Sequence, residues 1–342
     1  MIWVWLKFVL CLAIILFSGT KLARYGDVIG EKTGLGRIWI GLVLLALITS
    51  MPELVTSVSA VALVGLPDLA FGTVFGSCLF NLAIIGLLDI LHHSTPILSK
   101  ASSRHMALAG LEILLIAIAA VSIFTGERLS GLALGWVGIP SIIILIVYLV
   151  GVRGMFRFER RQQLVPPQAV PLRYEGIPAR TVWFKFTLAA AAVIGAGIWL
   201  SFIGNEIAEV TGWGTSFVGS LFLAIGTSMP ELVVTIAALR LGAIDMAVAD
   251  ILGANMFDIT HIFAVDLFYI RGPILFQPRS LVSSTHLTTA AVVMVMSLLV
   301  IVGLRFRQKR KALFIISWYG LALIGLYIFG AYALFTSGIG LG

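Results

Sequence analysis

Ten long apolar runs limit what this chain can fold into. They cover roughly 2–20, 38–65, 68–91, 105–125, 130–150, 182–204, 214–240, 245–270, 286–304 and 312–336. A helix crosses the hydrocarbon core of a bilayer with about 20 apolar residues, and only helices or closed barrels satisfy their backbone there. Barrel strands would alternate over segments of about 10 residues, whereas these runs are unbroken. With 60% hydrophobic and 11% charged residues, against about 25% charged in a soluble domain, no polar shell is left over. The sequence predicts an all-α integral membrane protein with ten transmembrane helices. The first run has no basic leader and no small-residue cleavage site, and reads as a retained helix. Cys11 and Cys78 are the only cysteines and both lie in apolar runs, which excludes a disulfide scaffold.

The net charge of +7 raises nucleic-acid binding as a question. The placement of the charges answers it. Nineteen of the 23 Lys and Arg residues fall in or beside the loops after runs one, three, five, seven and nine; the exceptions are Lys7, Arg128, Arg271 and Arg279. This is the positive-inside asymmetry. It predicts a cell (plasma or inner) membrane protein with both termini extracellular and a basic central loop in the cytoplasm. The basic residues read as orientation signals and lipid-headgroup contacts. The bilayer is therefore the expected partner, with no nucleic acid and no obligate protein partner. The connection over 153–178 is basic and holds Pro166, Pro167, Pro171 and Pro178, so it reads as a linker. The predicted organisation is a first five-helix repeat over 1–150, a cytoplasmic linker over 151–181 and a second five-helix repeat over 182–342.

The two halves carry one motif. Residues 41–60, GLVLLALITSMPELVTSVSA, and 219–238, GSLFLAIGTSMPELVVTIAA, share 11 identities in 20 positions at an offset of 178. Seven are consecutive, Thr49-Ser50-Met51-Pro52-Glu53-Leu54-Val55 against Thr227-Ser228-Met229-Pro230-Glu231-Leu232-Val233. The offset then becomes 177, pairing Gly65 with Gly242, Asp68 with Asp245, and Gly76-Ser77-Cys78-Leu79-Phe80-Asn81 with Gly253-Ala254-Asn255-Met256-Phe257-Asp258. An odd number of spans separates the copies, so they run in opposite directions across the membrane. Inverted repeats with interrupted helices point to a secondary transporter whose site lies near the midplane.

The repeated residues have a definite chemistry. Pro52 lacks an N–H and clashes with the Ile48 carbonyl, and Pro230 acts likewise on Gly226, so each helix should kink or open. Freed carbonyls at membrane depth need protein, water or ions. Thr49 and Glu53 share a helical face, as do Thr227 and Glu231. The next helices add Ser77 and Asn81 in one copy and Asp258 in the other. Glu53, Glu231, Asp258, Asn81, Thr49, Thr227, Ser50, Ser228 and Ser77 form an oxygen-only inventory, which suits hard cations such as Ca²⁺, Na⁺ or Mg²⁺. A single Pro or Ser in a membrane helix is often only a kink or a backbone bond. A buried carboxylate costs about 2.5–3.5 kcal/mol on insertion scales, and carrying one at matched positions in both copies favours a functional reading.

These motifs resemble the two α-repeats of the sodium/calcium exchanger family, prokaryotic type, within the cation/calcium antiporter superfamily. Its pattern is Gly-Thr-Ser-x-Pro-Glu on one helix and Gly-Ser-Asn-x-x-Asn/Asp on the next. The α-repeats span 41–91 and 219–270 here, about 100 residues in all. The Gly-Asn-x-x-Glu typical of proton/calcium exchangers is absent. The resemblance implies Ca²⁺ held by Glu53 and Glu231 with the carbonyls of Thr49 and Thr227. It implies Na⁺ sites drawing on Ser50, Ser77, Thr227, Ser228 and the Ala46 and Ala224 carbonyls, with Asn81 and Asp258 completing the middle. It also implies alternating access, with helices one and six sliding against the other eight.

The chain departs from the family pattern at four positions. Ala254 replaces a serine and so removes a hydroxyl from the implied outward Na⁺ site. Cys78 replaces an asparagine. Thr73 and Asp250 stand where an asparagine is common; Asp250 is either a solvated helix-end carboxylate or an extra cation or proton site. His261, one turn beyond Asp258, is either a packed histidine or a proton-linked partner of it. His92, His93 and His105 do not form a closed metal site. Glu112, Asp89 and Asp266 read as interfacial or paired groups without counterparts in the other repeat. The function expected is a secondary active antiporter exchanging Ca²⁺ for Na⁺, with ions bound by paired glutamates and no prosthetic group. The alternative is a H⁺-coupled exchanger of Ca²⁺ or another divalent cation, and a passive cation channel ranks below both. No hydrolase motif, phosphate loop or nucleophile elbow is present, so no enzyme activity is expected.

Overall fold

The computed structural model describes residues 1–33, 45–92, 95–126, 132–162, 178–276, 281–308, 310–312 and 315–338. Its helices are α1 (Ile2–Thr33), α2 (Leu45–Thr49), α3 (Met51–Ser59), α4 (Pro67–Leu91), α5 (Ile97–Lys100), α6 (His105–Thr125), α7 (Ile139–Gln162), α8 (Ala179–Thr211), α9 (Thr215–Val218), α10 (Ala224–Thr227), α11 (Met229–Arg240), α12 (Ile244–Phe268), α13 (Thr285–Phe306) and α14 (Trp318–Gly338). A π-helical turn, Ala60–Val64, continues α3, and another, Gly219–Leu223, joins α9 to α10. Strands β1 (Ala133–Leu134) and β2 (Val137–Gly138) pair as a short antiparallel hairpin.

Seven helices among the described residues are long and apolar enough to cross a membrane, and the bent pair Thr215–Thr227 and Met229–Arg240 makes an eighth. Two shorter apolar helices, Met51–Val64 and Ile139–Met155, fall in the second and fifth runs. The fourth run matches α6 at both ends. Elsewhere apolarity marks the lipid-facing and packed stretch rather than the end of the helix. Thus α1 continues through Lys21 and Arg24 to Thr33, because Lys and Arg are good helix formers. The fifth run departs most. Its start holds the hairpin, and α7 begins at Ile139 and continues to Gln162. The expected linker is therefore helical over 151–162 and 179–181; residues 163–177 lie outside the described residues.

Two helices form the centre. Helices α4 and α12 each have 25 residues, and their ends correspond at the 177 offset. Each follows a turn whose glycine is left-handed, Gly65 at φ 78° and Gly242 at φ 74°. Helix α4 meets the π turn Gly219–Leu223 backbone to backbone. A Cβ on Gly72 would come 2.7 Å from the Ser216 carbonyl, and one on Gly76 would overlap the Ser220 backbone. Small residues permit such close crossings in membranes.

Carboxylates fasten both ends of both central helices to the opposite half. At the start of α4, Asp68 accepts the Ser283 N–H (2.6 Å), the His286 Nε2–H (2.8 Å) and the Ser216 hydroxyl (2.6 Å). At the start of α12, Asp245 accepts the Ser102 N–H (2.6 Å) and the His105 Nε2–H (3.0 Å). Both donor loops read Ser-Ser-x-His, at 102–105 and 283–286. At the other ends, Asp89 accepts the N–H groups of Ile97 (2.8 Å) and Ser317 (2.6 Å). Asp266 accepts those of Ile274 and Gly138 (both 2.7 Å) and the Ser141 hydroxyl. This corrects the expectation that Asp89 and Asp266 lack counterparts. They correspond to each other at the 177 offset, and each holds the start of the last long helix of the opposite half. His105 is likewise an interhelical tie.

Candidate cation-binding site

The prolines break the helices where the motif places them. In the first copy α2 ends at Thr49, Ser50 leaves helical geometry at φ −83° and ψ 12°, and α3 starts at Met51. In the second copy α10 ends at Thr227, Ser228 sits at φ −85° and ψ 10°, and α11 starts at Met229. The two parts of the second broken helix meet at 45°. Each break puts a Ser at the hinge and a Glu in the first turn of the following helix, where the helix dipole favours a negative charge.

The glutamates face each other across the halves. Ser228 Oγ donates to Glu53 Oε1 at 2.7 Å, and Ser50 Oγ donates to Glu231 Oε1 at 3.1 Å. The Thr49 side chain also lies close to Glu231. The charges of Glu231 and Asp258 both act on Glu53. Glu53, Glu231, Asp258, Thr49, Ser50, Thr227, Ser228, Ser77 and Asn81 are all fully buried, and neither glutamate faces lipid.

Several polar atoms here have no hydrogen-bond partner among the described residues. They are Oε2 of Glu53 and of Glu231, both oxygens of Asp258, both amide atoms of Asn81, and Ser77 Oγ. Each such group costs about 1–3 kcal/mol when left unpaired, and native proteins seldom gather them. Oxygens gathered in this way fit a hard cation as substrate. Among the described residues no three His, Cys, Asp or Glu side chains converge as a metal cluster. The two glutamates must therefore be supplemented by hydroxyl, amide and carbonyl oxygens. The Thr227 hydroxyl returns to the Leu223 carbonyl at 3.0 Å, and the Ala224 carbonyl already accepts the Ser228 N–H at 3.0 Å. Ala46 lies in α2, one turn before Ser50.

The structure also shows what the sequence reading left open. Helices α4 and α12 cross at Cys78 and Asn255. Asn255 Nδ2 donates to the Cys78 carbonyl at 3.3 Å, and Cys78 Sγ to the Asn255 carbonyl at 3.7 Å. The cysteine thus keeps a weaker form of the tie that an asparagine would make. Asn255 also donates to Glu112 at 2.8 Å, and the Ser297 hydroxyl returns to the Val293 carbonyl at 3.0 Å. Glu112 is thus a buried carboxylate one hydrogen bond from the site helix. Its position in the middle of an apolar run was the available signal. His261 stands 3.8 Å from Asp258, beyond hydrogen bonding, with the Phe257 ring against it. Ala254 lies one turn from Asp258 toward the Asp245 end of α12, beside the basic loop after the third run.

The sequence profile of the sodium/calcium exchanger protein family matches residues 3–153 and 181–336. Inner membrane protein YrbG of Escherichia coli strain K12 is 28% identical over 273 residues, 77% of this chain and 79% of that one. Sodium/calcium exchanger MaX1 of Methanosarcina acetivorans is 32% identical over 158 residues, 46% of this chain and 41% of its own. Among solved structures, the sodium-calcium exchanger NCX_Mj, soaked with 2.5 mM Na⁺ and 0.1 mM Ca²⁺, has the same fold. The TM-score is 0.61 at 21% identity, covering 97% of this chain and 98% of that one. The matched stretches include both broken helices and both central helices, and so the chain belongs to the sodium/calcium exchanger protein family.

Proposed function

We propose that the protein is a secondary active antiporter exchanging Ca²⁺ for Na⁺ across the cell membrane by alternating access. The observation that carries this reading is the reciprocal pairing of Glu53 with Ser228 and of Glu231 with Ser50. It draws the two carboxylates from opposite halves into one buried, oxygen-lined place. Ca²⁺ binds between Glu53 and Glu231 with the Thr49 and Thr227 carbonyls. Na⁺ ions compete for the same carboxylates with help from Ser50, Ser77, Thr227, Ser228 and the Ala46 and Ala224 carbonyls, and Asn81 and Asp258 close the middle. Competition for shared carboxylates makes binding of the two ions exclusive, and exchange follows. Ten spans in two inverted repeats over 1–150 and 182–342, with both termini outside, complete the reading. The eight spanning units and the two shorter apolar helices support that number.

The moving part is the pair α1 and α8. Lys7 and Glu206 join the two helices at 2.8 Å, and Cys11 Sγ meets the Ala196 carbonyl. Against the broken helices the pair presents glycines. A Cβ on Gly19 would lie 2.6 Å from the Pro230 ring, and Gly197 packs on Val55 and Thr56. Glycine on one side of each contact lets the helices pass closely, and sliding has to break one bond there, from the Thr56 hydroxyl to the Gly197 carbonyl at 3.2 Å.

The test is ⁴⁵Ca²⁺ uptake into proteoliposomes with Na⁺ and pH gradients imposed separately. Uptake should follow an outward Na⁺ gradient, and Glu53→Gln or Glu231→Gln should abolish it. Uptake that follows pH and ignores Na⁺ would make the protein a H⁺-coupled exchanger. Flux that persists without any counter-ion would make it a channel.

A further inference from the structure

We propose that Asp250 holds a Na⁺ ion on the cytoplasmic side of the paired glutamates and adds one monovalent charge to each exchange cycle. The proposal rests on the antiporter reading above and extends it to a residue outside the shared motif.

Asp250 is 1% exposed, and neither carboxylate oxygen has a hydrogen-bond partner among the described residues. This sets it apart from the aspartates at the ends of the two central helices. Asp68, Asp89, Asp245 and Asp266 each accept at least two bonds. Those four are structural ties, and Asp250 is not. No Lys, Arg or His forms an ion pair with it among the described residues. The charged group that acts on it is Glu231.

Its position in the fold gives this isolation a direction. Asp250, Ala254 and Asp258 recur every fourth residue along one face of α12, opposite in the repeat to Thr73, Ser77 and Asn81 on α4. On α4 the first of these is quiet, since the Thr73 hydroxyl returns to the Leu69 carbonyl at 2.9 Å. On α12 the same place carries a carboxylate, and the alanine between it and Asp258 supplies no donor to satisfy it. A buried carboxylate with no partner is neutralised or destabilises the helix that carries it. A small hard cation bound to oxygen neutralises it, and the nearby Glu231 strengthens the attraction. The site has lost a hydroxyl at Ala254 and gained a full negative charge one turn further along, which shifts the Na⁺ station toward the cytoplasm.

The experiment compares wild type, Asp250→Asn and Asp250→Glu in proteoliposomes. Na⁺-driven ⁴⁵Ca²⁺ uptake is measured against Na⁺ concentration and against membrane potential at fixed pH, with Ca²⁺-for-Ca²⁺ exchange as a separate readout. For Asp250→Asn the Na⁺ Hill coefficient and the charge moved per Ca²⁺ should each fall by one, and Asp250→Glu should restore both. A Hill coefficient and reversal potential equal to wild type in Asp250→Asn overturn the proposal. So does a wild-type reversal potential in which that one charge follows pH and not Na⁺. If Asp250→Asn stops both kinds of exchange, Asp250→Glu decides, and recovery of Ca²⁺-for-Ca²⁺ exchange without the lost charge also overturns it. Failure of wild type to couple Ca²⁺ to Na⁺ at all removes the antiporter reading itself, and is distinguished by the absence of any Na⁺ dependence to compare.

Discussion

Ser50 and Ser228 each serve the carboxylate of the other half, and this sets what their loss should do. Each donates to a buried glutamate, and a hydrogen bond to a charged group is worth about 1.5–3 kcal/mol. Ser50→Ala and Ser228→Ala should each weaken apparent Ca²⁺ affinity by about tenfold to a hundredfold, read from the Ca²⁺ dependence of ⁴⁵Ca²⁺ uptake. Similar losses for the two reflect the reciprocal geometry, and a loss confined to one would contradict it. Most of the site was legible at this scale, because Pro, Glu and Ser stand out in an apolar sequence and recur at one offset. The Thr227 hydroxyl was not legible. Its sequence context equals that of Thr49, a residue read as facing the site, yet its hydroxyl bonds its own helix at the Leu223 carbonyl. A choice of that kind is made by rotamer and packing, which a repeat does not encode.

Elements show the same contrast. The breaks at Ser50 and Ser228 follow from proline chemistry, and the glycines that turn the chain into α4 and α12 follow from their φ angles. Nothing lies within 4 Å of a Cβ built on Gly65 or Gly242, so Ala there meets only backbone strain, about 1–2 kcal/mol per residue. Gly65→Ala and Gly242→Ala should each lower Tm in detergent, and an unchanged Tm in both would show that the turn is not left-handed. Helix ends were poorly legible. A run of apolar residues stops where lipid stops, whereas α1 and α7 continue on charged residues that favour helix just as well. The pairing of Asp89 with Asp266 was open to view at the 177 offset. It carries little signal in sequence, because the recognisable chemistry of the repeat ends at Asn81 and Asp258. The Ser-Ser-x-His loops at 102–105 and 283–286 escaped because their spacing from the motif differs between the halves by a few residues.

At the scale of the molecule the halves are interlocked and not merely adjacent. Asp68 is satisfied by Ser216, Ser283 and His286, and Asp245 by Ser102 and His105. Both glutamates take a serine from the other side. Two polypeptides cut within 163–177 and expressed together should copurify and support Na⁺-driven ⁴⁵Ca²⁺ uptake, while either alone should aggregate. A half that folds and stays monodisperse by itself would refute the interlock. The sequence announced two copies of a motif. That the copies complete each other is a property of three dimensions, since these bonded partners lie 140 to 218 positions apart and no local pattern links them. The interlock also sets a timetable for synthesis. The Asp68 carboxylate meets its last donor only after the ribosome has passed His286, so a newly inserted first half waits in the bilayer with its polar ends unmet. Until then the first half is a bundle with unpaired acids at its rims, a less finished object than the complete fold.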